Sequence, residues 1–129
     1  MYLIVNSSVK MSKGKTAAQV GHVVQRITEY MVLNKPQQWN NYKNSGMAKI
    51  VLRASEEDII KMIMKYGTIN GCDLMKNNKN NKTGPISYII DAGRTQIPPN
   101  TLTVIGFCPI MIKKDMILNY PELATYKLL

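Results

Sequence analysis

The sequence predicts a single α/β domain with helices on both faces of a small, four-stranded mixed sheet, a three-layer α/β/α arrangement. Two observations carry this. Short apolar runs of strand length alternate with segments whose apolar residues recur every three or four positions. No internal repeat, Pro/Gly/Ser-rich linker or composition shift divides the 129 residues. Residues 1–129 are therefore read as one domain, long enough to bury a core without disulfide or metal staples.

The first strand is the apolar run Tyr2-Leu3-Ile4-Val5, which ends in Asn6-Ser7-Ser8. A helix is expected from about Lys15 to Leu33, with Ala17, Val20, Val24, Ile27 and Met31 as the stripe for the core. Lys15, Gln19, His22, Arg26 and Glu29 recur with the same spacing on another face. Lys35-Pro36 breaks this helix, and Gln37 to Asn44 form a short second one in which Trp39 serves as a packing anchor.

Met47 to Arg53 read as the second strand. Ser55-Glu56-Glu57-Asp58 is then a capping box, with Ser55 as N-cap and acids against the helix dipole, and Gly67 stops that helix. Those acids have a complete structural explanation. The run from Lys76 to Lys82 is Asn/Lys-rich, contains no core-forming residue and is expected to be a surface loop. Ile86 to Ile90 form the third strand and Leu102 to Cys108 the fourth. A last short helix is expected between Ile110 and Asn119, followed by a packed tail, Tyr120 to Leu129.

The formal net charge is +9, and it is uneven. No acid precedes Glu29, whereas Lys10, Lys13, Lys15 and Arg26 do. This suits a polyanionic partner, nucleic acid before anionic membrane, although solubility and a Lys/Asn-rich bias explain charge equally well. No apolar run approaches the ~20 residues of a membrane span, and the chain starts without a signal-peptide h-region. Cys72 and Cys108 have no metal-ligand spacing, so a reducing, intracellular compartment is expected.

Two stretches are dense in chemistry. Lys10-Met11-Ser12-Lys13-Gly14-Lys15-Thr16 stands at a strand-to-helix turn, where unpaired backbone N–H groups and the helix dipole favour anions. Asp91-Ala92-Gly93-Arg94-Thr95-Gln96 follows the third strand, where α/β proteins place functional loops. An Asp there also serves simply to cap a turn. Gly14-Lys15-Thr16 imitates the end of a phosphate-binding P-loop, but the first glycine of that pattern is Val9, and Asn6 to Lys13 contains no glycine.

Lys10 to Gln19 with His22, Asp91 to Ile97, and Thr103-Val104-Ile105-Gly106 together strongly resemble the type 2 peptidyl-tRNA hydrolases of archaea and eukaryotes, in order along essentially the whole chain. Asn6 and Ser8 stand where that family usually has an Arg and an Asp. The resemblance implies a cytoplasmic enzyme, often a homodimer, with no metal and no cofactor. Its substrate is peptidyl-tRNA, and the bond cleaved is the ester between the peptide and the 3′ ribose. It further implies that Lys15, Asp91, Thr95 and His22 are catalytic. Lys10, Lys13, Gln19, Arg26 and Arg94 are the expected tRNA contacts. A structural role for His22 or for Arg94, and a catalytically inactive tRNA-binding module of the same fold, are the competing readings.

Overall fold

The computed structural model describes residues 1–71, 83–93, 100–110 and 113–129, and the side chains of all of these except 113–115. The elements in chain order are β1 (Tyr2–Asn6), α1 (Lys13–Asn34), α2 (Pro36–Asn44), β2 (Ile50–Ala54), α3 (Glu56–Tyr66), β3 (Ile86–Asp91), β4 (Thr101–Phe107), α4 (Lys113–Asn119), a 3₁₀ turn (Pro121–Ala124) and β5 (Lys127–Leu128). The sheet is mixed, in the order β3-β4-β1-β2-β5. β1 and β2 are parallel, and the other pairs are antiparallel.

The sheet therefore has five strands rather than the four expected. The tail expected merely to pack supplies the fifth: Leu128 and Lys127 pair with Leu52 and Arg53, and the Leu129 amide donates to the Val51 carbonyl at 3.0 Å. An otherwise open edge of β2 rewards any chain that satisfies its backbone groups, and two residues suffice for that. So short a strand leaves no periodic trace in a sequence.

β1 is central and buried throughout, so its sequence is apolar without alternation. Leu3 and Val5 face α1 in one core cluster, with Val23, Ile27, Met31 and Val104. Tyr2 and Ile4 face the other cluster, which gathers Ile59, Met62, Phe107, Met116 and Leu123. α1 and α2 thus cover one face, and α3, α4 and the 3₁₀ turn the other. Cys108 is buried on the α1 face, which pushes its thiol up to about 11 and leaves it inert. Trp39 packs against Tyr42 in a tilted arrangement with ring centroids 5.6 Å apart, as a packing anchor does.

α1 starts two residues earlier than expected because the Ser12 side chain caps it, accepting from the Lys15 amide. Its buried row is Gln19, Val23, Ile27 and Met31; Val20 and Val24 lie half-buried at the margin and Ala17 is exposed. The helix is rotated relative to the expected stripe because it sits directly on Gly106. A Cβ at that position would stand 2.6 Å from Ile27 Cδ1 and 3.0 Å from Leu3 Cδ2. The missing side chain lets Val23 and Ile27 reach the sheet.

Between Ile89↔Val104 and Ile90↔Leu102 the β3–β4 register slips, leaving Thr103 as the extra residue of a β-bulge. The bulge resets the in-out alternation. Leu102 turns into the α3-side core, while Thr103 turns toward α1. This happens one residue pair before Asp91↔Thr101, at the end of the sheet where β1 also gives way to α1.

Candidate functional site

The site begins with two side chains 76 positions apart in sequence. Lys15, in the first turn of α1, places its Nζ 2.9 Å from Asp91 Oδ1 at the end of β3, with both side chains 11% exposed. β1 and β3 run in the same direction, each antiparallel to β4 between them. The chain leaving β1 into α1 and the chain ending β3 therefore meet at one end of the sheet.

Asp91 is held on both oxygens. Oδ2 accepts the Gly93 amide at 3.0 Å, and Gly93 adopts φ 75°, a left-handed conformation that folds the turn back onto the carboxylate. The Asp91 carbonyl accepts the Asn100 amide at 2.8 Å. The hydrogen bond from Lys15, joined by the Gly93 and Ala92 amides, holds the carboxyl below the usual carboxylate range, outweighing a partial desolvation that acts the other way. Asp91 is thus an anion at neutral pH, with the Lys15 ammonium aimed at it.

One turn after Lys15, Gln19 is buried, and its Oε1 accepts from Thr103 Oγ1 at 2.6 Å. Thr103 also approaches the Ile89 carbonyl at 3.4 Å. This buried polar bridge ties α1 to the bulge beside Asp91 and so fixes the helix register on which the Lys15–Asp91 distance depends. Sequence reasoning placed Gln19 among surface contacts and gave Thr103 no role. A polar residue interrupting an apolar strand, Leu102-Thr103-Val104, was the available signal.

His22 and Arg26 continue the same helix face, both exposed. With Gln19, Glu29, Ile90 and Asp91 they line an open cleft of about 400 Å³. Arg26 donates from Nη1 to the Tyr88 carbonyl at 3.0 Å, so it bridges α1 to β3. Lys10 and Lys13 are exposed just before and at the start of α1. The structure therefore brings Gln19, His22, Arg26 and Asp91 to one cleft, with Lys15 joined to it through its contact with Asp91, and leaves Lys10 and Lys13 exposed near the N-terminus of α1. Thr95 and Arg94 lie outside the described residues, as does the Asn/Lys-rich run 76–82. Among the described residues, no three His, Cys, Asp or Glu side chains converge to hold a metal ion.

The two departures after β1 have a physical account. Asn6 is fully buried; its Nδ2 donates to the Leu102 carbonyl at 2.8 Å and to Glu56 Oε1 at 3.3 Å. Its Oδ1 accepts the Ser8 amide at 2.9 Å, and Ser8 Oγ accepts the Glu56 amide at 3.0 Å. The turn leading to Lys15 is thus pinned to β4 and to the N-terminus of α3 by hydrogen bonds from the uncharged side chains of Asn6 and Ser8.

The family model described as peptidyl-tRNA hydrolase PTH2 matches residues 1–119. A peptidyl-tRNA hydrolase of Saccharolobus islandicus is 33% identical over 114 residues, covering 84% of each chain. The mitochondrial peptidyl-tRNA hydrolase 2 of Mus musculus is 32% identical over 109 residues, and that of Bos taurus 30%. Each of these alignments covers 84% of this chain but 54% of the mammalian protein, so the chain spans about half the length of those two relatives.

Proposed function

We propose, since this chain belongs to the peptidyl-tRNA hydrolase PTH2 family, that its Lys15–Asp91 pair hydrolyses the ester joining a peptide to the 3′ ribose oxygen of tRNA, releasing both. The observation that supports this most is the pair itself: a 2.9 Å contact of two mostly buried charges beside an open cleft. Ester hydrolysis needs a positioned water and a positive group where the tetrahedral oxyanion develops. Asp91 has acceptor capacity beyond the Lys15 and Gly93 bonds and orients the attacking water. Its lowered pKa makes it a weak base, so orientation is its main contribution. Lys15 faces the charge that forms on the ester carbonyl oxygen. His22, in the same cleft, serves the departing ribose oxygen, and Thr95 places the water or the ester.

In this reading Lys10, Lys13 and Arg94 hold the tRNA backbone, Arg26 ties α1 to β3 beside the cleft, and Gln19 works from beneath the cleft as a brace. The protein acts as a homodimer in the cytoplasm. No helix among the described residues is long and apolar enough to cross a membrane.

Two measurements test this reading. The protein should release the amino acid from N-acetyl-aminoacyl-tRNA faster than from aminoacyl-tRNA, because a positive site disfavours a free α-ammonium group. No release from the blocked substrate, with tRNA binding intact, would establish the binding module instead. Affinity for deacylated tRNA should fall about 40-fold between 50 and 200 mM salt if three phosphates are neutralised. A salt-insensitive affinity would remove the basic surface from the account.

A further inference from the structure

We propose that the groove between α1 and β3 holds the peptide of the substrate, with the peptide's ester-linked end at Lys15–Asp91 and its amino end running toward Leu33. The inference rests on the hydrolase reading and adds to it a place for the peptide. Its first support is continuity. The cleft at the ion pair shares Arg26 and Glu29 with a second hollow of about 400 Å³, walled farther out by Tyr30, Leu33, Ile69 and Tyr88. The two hollows adjoin along the helix, and Arg26, which reaches across to the Tyr88 carbonyl, faces both.

The second support is chemistry. Near the ion pair the walls are polar: His22, Gln25, Arg26 and Glu29 supply donors and acceptors for peptide amides, which every sequence carries alike. Farther out apolar and aromatic side chains, Tyr30, Leu33, Ile69 and Tyr88, join polar ones, Asn70 and Ser87, and Leu33 stands 81% exposed at the far end. Arg26 is the one cation among the described residues of these walls, and it is already bonded to the Tyr88 carbonyl with Glu29 on the same walls. Phosphates bind where cations gather, and the cations nearest the ion pair in sequence, Lys10 and Lys13, stand at the opposite end of α1. RNA therefore suits that end, and a peptide suits this one.

The third support is length. From His22 to Leu33 the helix advances about 16 Å at 1.5 Å per residue, the span of about five extended residues. A mixed polar and apolar track of that size gives short nascent peptides affinity without demanding one sequence.

The test compares N-acetyl-leucyl-tRNA with tRNA carrying an N-acetylated five-residue apolar peptide, using the wild type and Leu33→Gln. Leu33 is exposed, so this variant folds, and the substitution adds no charge to disturb tRNA binding. In the wild type, kcat/KM is expected to be about tenfold higher for the longer peptide, through KM, and Leu33→Gln should cut that ratio about threefold. Affinity for deacylated tRNA should be the same in both proteins. A chain-length ratio of one in the wild type, or a ratio unmoved by Leu33→Gln, overturns the inference while leaving the hydrolase reading intact. Weaker binding of deacylated tRNA by Leu33→Gln would assign the groove to RNA and overturn it too. No hydrolysis of either substrate would overturn the hydrolase reading, and the inference with it.

Discussion

Asp91→Asn is expected to lower kcat for N-acetyl-aminoacyl-tRNA about 10²- to 10⁴-fold while leaving affinity for deacylated tRNA near the wild-type value. Asparagine keeps the size of the side chain and an oxygen able to accept the Gly93 amide, so the turn survives. What disappears is the charge that aims Lys15 and orients water, in a place where both side chains are only 11% exposed and solvent substitutes poorly. Single-turnover hydrolysis with saturating enzyme measures the chemical step directly. An Asp91→Asn rate within threefold of wild type would remove Asp91 from the mechanism.

The pH profile follows from the same contacts. The folded-state pKa of Asp91 is depressed, chiefly by Lys15, below its value in the unfolded chain. A depressed carboxylate contributes stability that is present above the unfolded value of about 3.9 and is lost as pH falls through the folded one. Between about pH 5 and 8 Asp91 therefore stays ionised, and neither stability nor the Asp91-dependent part of the rate should change with its titration. An acid limb of kcat within that range that vanished in Asp91→Asn would contradict this ionisation state.

Phe107→Ala is expected to cost about 3–5 kcal/mol of folding stability, the largest effect of a single truncation in this core. Phe107 is fully buried at the end of β4, packed among rings: Tyr120 at 4.9 Å and Tyr66 at 6.2 Å between centroids, with those two 4.8 Å apart. This aromatic cluster joins the sheet to α3 and to the chain after α4. The surrounding elements are tied in further by Glu122, which accepts from Lys65 Nζ and from the Tyr66 hydroxyl, so collapse into the vacated volume is hindered. Urea unfolding should show a lower midpoint at an unchanged m-value. A loss below about 1 kcal/mol would mean that the cluster relaxes into the cavity.

Much of the site was legible without coordinates because its chemistry is local. Lys15 in the first turn of a helix and Asp91 at a strand end followed by Gly93 each announce themselves through propensity and spacing, whereas the Ser12 cap, which starts α1 two residues earlier than expected, came only with the structure. The breaks at Pro36 and Gly67 and the Ser55 cap are local for the same reason, and the structure has all three. Apolar periodicity identified α1 and the strands and put Ile27 and Met31 in the buried row of α1, but it chose Val20 and Val24 where Gln19 and Val23 are buried. The deciding fact, the gap at Gly106, lies about 80 residues away on another element.

The amino-acid order by itself determined the element types, the basic corner at Lys10–Lys15 and the carboxylate at Asp91, because each follows from interactions within a few residues. Only the tertiary structure decided that Lys15 and Asp91 touch, that Thr103 leaves the strand's alternation to hold Gln19, and that Lys127–Leu128 complete the sheet. Those outcomes turn on a bulge, a glycine-sized gap and an open strand edge, each of which depends on which strands become neighbours.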